Sequence, residues 1–353
     1  MIIGMLALLP LVASHAATPG WKTGEWANIP KEGDEVVARA ATEGKVSLLW
    51  SADPEELRSV IAAFRKRFPF VEVEHLEVEG AIAFSRLRPQ FVAGKVLHDL
   101  VSLGGTNLPD FNKEKMLAST SNLPRLFPWI TKQLLSAQGG AGVDVTSYVL
   151  AFNPTVLKSA QIEAPKSIFD LADERFKERI GVDSLHLSWF ANLHAVYSDE
   201  EVIKLFKGIA RNQPRLFRGI APLRTALGQG EVGVGYIMYH HFAQLKQKKS
   251  PVQLAKGLPL VANSKDIYLL RNAPHANAAT LFLAWLLTEE GQDSLLKTRP
   301  KVHPLSNHPV ARVLREDAEP AKIVIYQETA DEIRKAKQLE LEMAKILGIA
   351  LPR

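Results

Sequence analysis

The chain has 353 residues, 46% apolar and 23% charged, the composition of a folded protein of about two domains rather than a disordered or fibrous one. Lys and Arg exceed Asp and Glu by only 43 − 38 = 5, far from the clustered excess of a nucleic-acid binder. Cysteine is absent, which excludes a disulfide scaffold, a thiol nucleophile and cysteine-held zinc or iron–sulfur clusters.

Ile2 to Val12 is an apolar run, too short for the roughly 20 residues that span a bilayer. Ser14 and Ala16 supply small residues at the −3 and −1 positions of a cleavage site, so residues 1–16 read as a signal peptide, although no Lys or Arg precedes the run. Val36 to Glu43 reads as a helix stopped by Gly44, and Val46 to Trp50 as a buried strand. Ser51-Ala52-Asp53-Pro54 then caps a helix whose apolar face is Leu57, Val60, Ile61, Phe64 and Phe68. Val71 to Val78 alternates as a strand, and Ala83 to Val92 follows as a helix that Pro89 should bend or break. Asp99 to Leu103 is a short strand leading into Gly104-Gly105-Thr106-Asn107. Strands alternating with helices predict an α/β domain with a mostly parallel sheet.

A second unit begins after residue 145. Its strands are expected at Thr146–Phe152, Arg179–Asp183, Glu231–Tyr236 and Ile267–Leu270. Its helices are expected within Lys166–Phe176 and at Asp199–Ala210, Thr225–Gln229 and Ala276–Leu287, with a long charged tail helix over Tyr326–Leu347. No Gly/Ser linker separates the units, so the chain should cross between them as a strand.

The run AATEGKVSLLWSADPEELRSVIAAFRKRFPFVEVEHLEV, the segments HDLVSLGG and TSYVLAFNPTVL, and above all NAPHANAATLFLAWLLTEEGQ resemble the iron-type extracellular solute-binding proteins of ABC importers. The likeness runs over about residues 36–300. It implies a type II periplasmic-binding-protein fold, with two α/β lobes and a ligand cleft between them. Lobe 1 would cover residues 17–145 with part of 263–353, lobe 2 residues 150–262, and 263–353 would hold a crossover strand and the C-terminal helices. Independently of the resemblance, open α/β sheets bind ligands in the crevice beyond the carboxyl ends of their strands.

Strand ends therefore supply the candidate ligand-binding residues. Trp50 and Ser51 end the first strand, as cleft wall or as core and cap. Gly105 and Thr106 offer backbone N–H groups to an anion, or form only a tight turn. His186, Ser188 and Trp189 follow the RIGVD strand. Tyr236 and Tyr239 lie at or just past the end of EVGVGY. The resemblance implies two adjacent tyrosines that bind ferric iron near this point, and the chain has Tyr239-His240 there, so this pair is the candidate metal site. Arg215, Arg218 and Arg224 could meet phosphate or carboxylate.

The expectation is a periplasmic, monomeric solute-binding protein that captures a small polar or anionic solute by hinge closure and delivers it to an ABC permease in the inner membrane. It needs no cofactor, and neither nucleic acid nor catalysis enters. Three alternatives stand beside it: a carrier of ferric iron (Fe3+) or another metal on the same fold, a secreted enzyme using His186 or His240 as base, and a ligand-sensing partner of a membrane receptor.

Overall fold

The computed structural model describes residues 20–78, 80–104, 107–296, 301–326 and 330–350; the expected signal peptide, Gly105 and Thr106 lie outside them. Among the described residues ten strands form one sheet. They are β1 (Lys45–Leu49), β2 (Glu72–Leu76), β3 (Leu100–Leu103), β4 (Ala141–Phe152), β5 (Ile180–Asp183), β6 (Arg215–Phe217), β7 (Val234–Met238), β8 (Gln253–Leu254), β9 (Pro259–Leu269) and β10 (Lys322–Tyr326). Their order is β2-β1-β3-β9-β4-β7-β5-β6, with β10 on β9 and β8 on β4. β1 is parallel to β2 and β3, and β5 is parallel to β6 and β7, as helical crossovers require. β4 and β9 run antiparallel to each other from one half of the sheet to the other.

The apolar cores divide at these two strands. Ala141 and Val143 of β4 and Ile267 of β9 pack with Val46, Leu48, Phe64 and the helix Ala276–Leu286, while Tyr268 and Leu270 pack on the opposite face with Leu49, Val101 and Phe111. Tyr148, Leu150 and Phe152 of β4 and Val261 of β9 belong instead to a core with Trp189, Phe206, Val234 and Met343. Val149, Ala151 and Leu260 join a fourth cluster with Leu223, Phe242 and Leu314. The middle of the pair, residues 144–147 and 262–266, belongs to none of these clusters.

Local signals explain most of the elements. The Asp53 carboxylate accepts from the Glu55 N–H at 2.8 Å with Pro54 at the first helical position, so Asp53 caps the helix Pro54–Arg67. Phe64 on its inner face meets Phe282 and Trp285 at 4.8 and 5.3 Å between ring centres. Gly44 stops the preceding helix in the left-handed conformation at φ 72°. Pro89 lies inside the helix Gly80–Val92 without ending it, although it cannot donate to the Ser85 carbonyl, and the helix stops three residues later.

Several boundaries differ from expectation. β4 begins at Ala141 rather than Thr146, and β9 at Pro259 rather than Ile267. β7 runs on to Met238, which puts Tyr236 within the strand. The tail forms β10 before the helix Ala330–Leu347, whose Ala336, Leu339 and Met343 pack on the second lobe. β10 is a short run paired to only one strand, so periodicity gives it little signal.

A buried carboxylate ties the first lobe together. Asp99 is fully buried and accepts from the Ser47 N–H at 2.8 Å and the His275 N–H at 2.7 Å, with the His275 ring at 3.0 Å. It thus joins β1, the start of β3 and the entry to the helix Ala276–Leu286. Asp99→Ala is expected to cost on the order of 3 kcal/mol, because it strips acceptors from buried donors. Urea unfolding would read this as a lower midpoint at unchanged slope, and an unchanged midpoint would contradict it.

His303 packs against β4 so closely that a Cβ on Gly142 would lie 2.9 Å from its ring. Its Nδ1 accepts from the Leu305 N–H at 3.3 Å, and burial pushes its pKa from 6.5 down to about 4. The folded chain keeps this ring neutral while the unfolded chain protonates it. Its contribution to stability is therefore full above pH 6.5 and is lost as pH falls toward 4. The loss is about 1.4 kcal/mol per pH unit, on the order of 3 kcal/mol in total. Burial raises the nearby Asp266 carboxyl, which acts in the opposite sense, so the contribution is read against a variant. His303→Asn keeps an acceptor and should lose less stability between pH 6.5 and pH 4 than the native chain in a urea series.

Candidate functional site

The middle of the crossing pair has two unlike faces. Residues two apart on a strand share a face, and so do residues directly opposed across a ladder. Asp144 opposes Lys265 and Thr146 opposes Asn263, and all four are partly exposed. Val145 opposes Ser264 and Ser147 opposes Ala262, and these are buried. One face of the crossing strands is thus a polar, solvent-accessible floor of Asp144, Thr146, Asn263 and Lys265.

Contacts join this floor to strand-end loops of both lobes. The Lys265 ammonium donates to the Ser51 carbonyl, just past β1, at 3.3 Å. Next along the same face of β4, the Tyr148 ring lies 6.0 Å from that of Trp189. Trp189 in turn stacks on His186 at 5.0 Å and 11°. At the other end of the floor Asp144 pairs with Lys301 at 2.6 Å.

His186 is held by Asp183, the last residue of β5. The buried Asp183 carboxylate takes the His186 Nδ1 at 2.8 Å, the Leu185 N–H at 2.9 Å and the Gly219 N–H at 3.1 Å. That acceptor fixes the ring proton on Nδ1 and leaves Nε2 as the outer nitrogen of a half-exposed side chain. Ser188 is partly exposed one residue before Trp189. The structure therefore brings Ser51, His186, Ser188 and Trp189 to the two ends of one floor.

Other expected residues lie elsewhere. Trp50 is 2% exposed in the first-lobe core, and its carbonyl meets the His75 Nε2 at 2.6 Å, so it is no cleft platform. Tyr236 opposes Leu150 in mid-strand and its hydroxyl is buried in the second lobe with no partner among the described residues. Tyr239 is buried in the fourth cluster beside Phe242, with the Asp317 carboxylate close enough to act on its hydroxyl. Burial first, and then Asp317, raise its pKa, which opposes the phenolate that ferric iron needs. His240 is buried too, and together with Tyr239 it lines a small pocket shared with the floor residue Thr146 and with Lys301, at the margin of the floor rather than on its exposed face. Among the described residues no three His, Asp or Glu side chains are grouped to hold a metal ion. Arg215 pairs with Glu231, and Arg224 bonds Gln244.

The opposite face of the crossing strands borders a cavity of about 390 Å³ lined by Ser136, Gly142, Ser264, Asp266, His303 and Glu332 among others. None of Ser51, His186 or Trp189 lines it.

The sequence reading missed all four floor residues, although the alternation of Val143-Asp144-Val145-Thr146 with its polar positions in a strand was a usable signal.

A family model described as bacterial extracellular solute-binding protein matches residues 59–308, and the chain belongs to that family. A relative from Haemophilus influenzae, described as an uncharacterized protein, is 26% identical over 175 residues, 45% of this chain and 49% of its own length. The chain thus spans about half the length of the curated relative it matches. Iron-bound HitA from Pseudomonas aeruginosa is similar in structure, at 17% identity and a TM-score of 0.57 over 86% of this chain and 99% of that one. A Bordetella ferric binding protein gives 16% and 0.62 over 86% and 98%. AfuA from Actinobacillus pleuropneumoniae, with fructose-6-phosphate bound, gives 17% and 0.54 over 87% and 99%. These likenesses establish the two-lobe periplasmic-binding-protein fold.

Asp183→Ala should release the His186 ring and the loop around it, at a cost on the order of 3 kcal/mol. The Leu185 and Gly219 amides should then exchange hydrogen faster than their neighbours in the second-lobe core. Uniform exchange across the lobe would mean that Asp183 is not their anchor.

Proposed function

We propose that this chain is the solute-capturing component of an ABC-type importer, working in the periplasm as a monomer. It takes a small polar or anionic solute between its lobes and presents the closed form to a permease in the inner membrane. The observation that carries this reading is the half-exposed polar floor between two separately cored lobes, with strand-end loops of both lobes attached to it. We place the lobes at residues 17–145 and 150–262, with 263–296 returning to the first and 309–347 to the second, following the cores they join.

Family membership supports a binding role rather than catalysis. No helix among the described residues is long and apolar enough to cross a membrane. Ligand touching both lobes binds the closed form more tightly than the open one, and that difference alone draws the equilibrium toward closure. Ser51, His186, Ser188 and Trp189 would supply the walls, and Asp144, Thr146, Asn263 and Lys265 the base.

The test is a thermal-shift titration of protein refolded free of ligand, against phosphates, carboxylates, sugars, polyamines and a ferric chelate. A solute at about 100 times its dissociation constant should add about 2.7 kcal/mol of stability. Small-angle X-ray scattering of the saturated protein should show a smaller radius of gyration. Binding without compaction would sink the closure mechanism.

A further inference from the structure

Asp144 and Lys265 stand directly opposite each other on the antiparallel β4–β9 ladder, on its partly exposed face. Opposed residues hold their Cβ atoms about 5 Å apart, and an aspartate and a lysine so placed are natural partners. They do not pair. Asp144 turns to Lys301, whose ammonium lies at 2.6 Å, with both side chains less than a fifth exposed. Lys265 instead donates one long hydrogen bond, 3.3 Å, to the Ser51 carbonyl. Among the described residues it forms no ion pair.

An ammonium has three N–H donors, and one weak bond to a carbonyl leaves most of that capacity unused. Partial burial without a counter-charge costs solvation free energy. Together with Lys301, the floor carries two lysines against the single carboxylate of Asp144, a net charge of +1. On the second-lobe wall, the Asp183 carboxylate is already engaged by His186 and two backbone N–H groups. Of these charged groups, the one left without an ion partner is therefore the Lys265 ammonium.

We infer that Lys301 diverts Asp144 from Lys265 and so leaves the Lys265 ammonium to receive an anionic group of the solute, a carboxylate or phosphate oxygen. This rests on the solute-capture reading above and names its substrate class. Lys265 is the group that touches the solute. Lys301 is a positioning residue that acts through Asp144: without it, Asp144 would swing to its cross-strand neighbour and neutralise the receptor. Because Lys265 sits on a crossing strand and also holds the first lobe at Ser51, an anion bound there lies where the two lobes meet.

The experiment is calorimetric titration of the purified chain with inorganic phosphate, glycerol 3-phosphate, succinate, glucose and spermidine, with thermal melts to confirm that each variant folds. The native chain should bind at least one of the three anions and neither glucose nor spermidine. Lys265→Met should weaken that binding about 100-fold. Lys301→Met should weaken it about 10-fold, and Lys301→Met combined with Asp144→Asn should restore it to within about 3-fold. A purely structural role for Lys301 gives no such rescue, so its failure overturns the diversion. Unchanged affinity in Lys265→Met overturns the receptor role. Binding of spermidine or glucose in place of the anions overturns the substrate class and leaves solute capture standing. If none of the five binds, the anionic assignment falls, while solute capture is judged separately by the wider panel and the scattering measurement.

Discussion

The antiparallel ladder between β4 and β9 is the constraint on which the molecule depends. Each strand is long enough to enter both lobes, and each lobe builds its cores on a different stretch of the same two strands. A reorientation of the lobes must therefore twist the ladder around residues 144–147 and 262–266, where neither core grips it. Backbone hydrogen bonds keep the strands paired there, with Val145, Ser147, Ala262 and Ser264 buried on one face and the four floor residues partly exposed on the other. A register shift between Gly142 and Asp144 lies at the first-lobe end of this stretch. Such irregularities increase local twist.

Two carboxylates repeat one device on either side of that ladder. Asp99 and Asp183 are both buried, and each gathers two backbone N–H groups and one histidine ring. A buried carboxylate is costly unless its lone pairs are filled, and full satisfaction makes the surrounding loops expensive to move. Asp99 spends this on the body of the first lobe. Asp183 spends it at the end of β5, where it orients an exposed imidazole against Trp189. The same chemistry is structural in one lobe and serves the candidate site in the other, and burial of the histidine marks the difference: the His275 side chain is 18% exposed and that of His186 48%.

The fold class was legible because buried parallel strands such as Val46–Leu49 and Ile180–Asp183 read as apolar runs between capped helices. Asp53-Pro54 and Gly44 gave helix ends through local chemistry alone. The site was less legible, for a physical reason. The middle of β9 carries Asn263, Ser264, Lys265 and Asp266 in succession, and a polar run of this kind reads as a loop unless its partner strand is known. Only pairing with β4 makes Lys265 and Asn263 one face and Ser264 and Asp266 the other. Tyr236 failed for the opposite reason: a two-residue error in the end of β7 moved it from the mouth of a strand into its middle. His186, Ser188 and Trp189 needed no such precision, because they follow β5 under any plausible boundary.

Likeness to ferric binding proteins fixes the scaffold and leaves the cargo to side-chain chemistry. A phenol becomes a strong ligand for a hard trivalent ion only as phenolate, so a tyrosine built for that task needs surroundings that favour the anion. Tyr239 has the reverse. It is buried with Phe242, Leu245 and Leu254, and the nearby Asp317 carboxylate further opposes ionisation. Recruiting it would require breaking the Asp317 contact and turning the ring out of a packed core. The floor asks for no rearrangement of that kind: its polar groups are already partly exposed, its one acid is already paired, and its one ammonium without an ion partner already stands on a crossing strand. On this scaffold the proposed positively charged base for an anionic solute therefore requires less rearrangement than a phenolate cage for a metal.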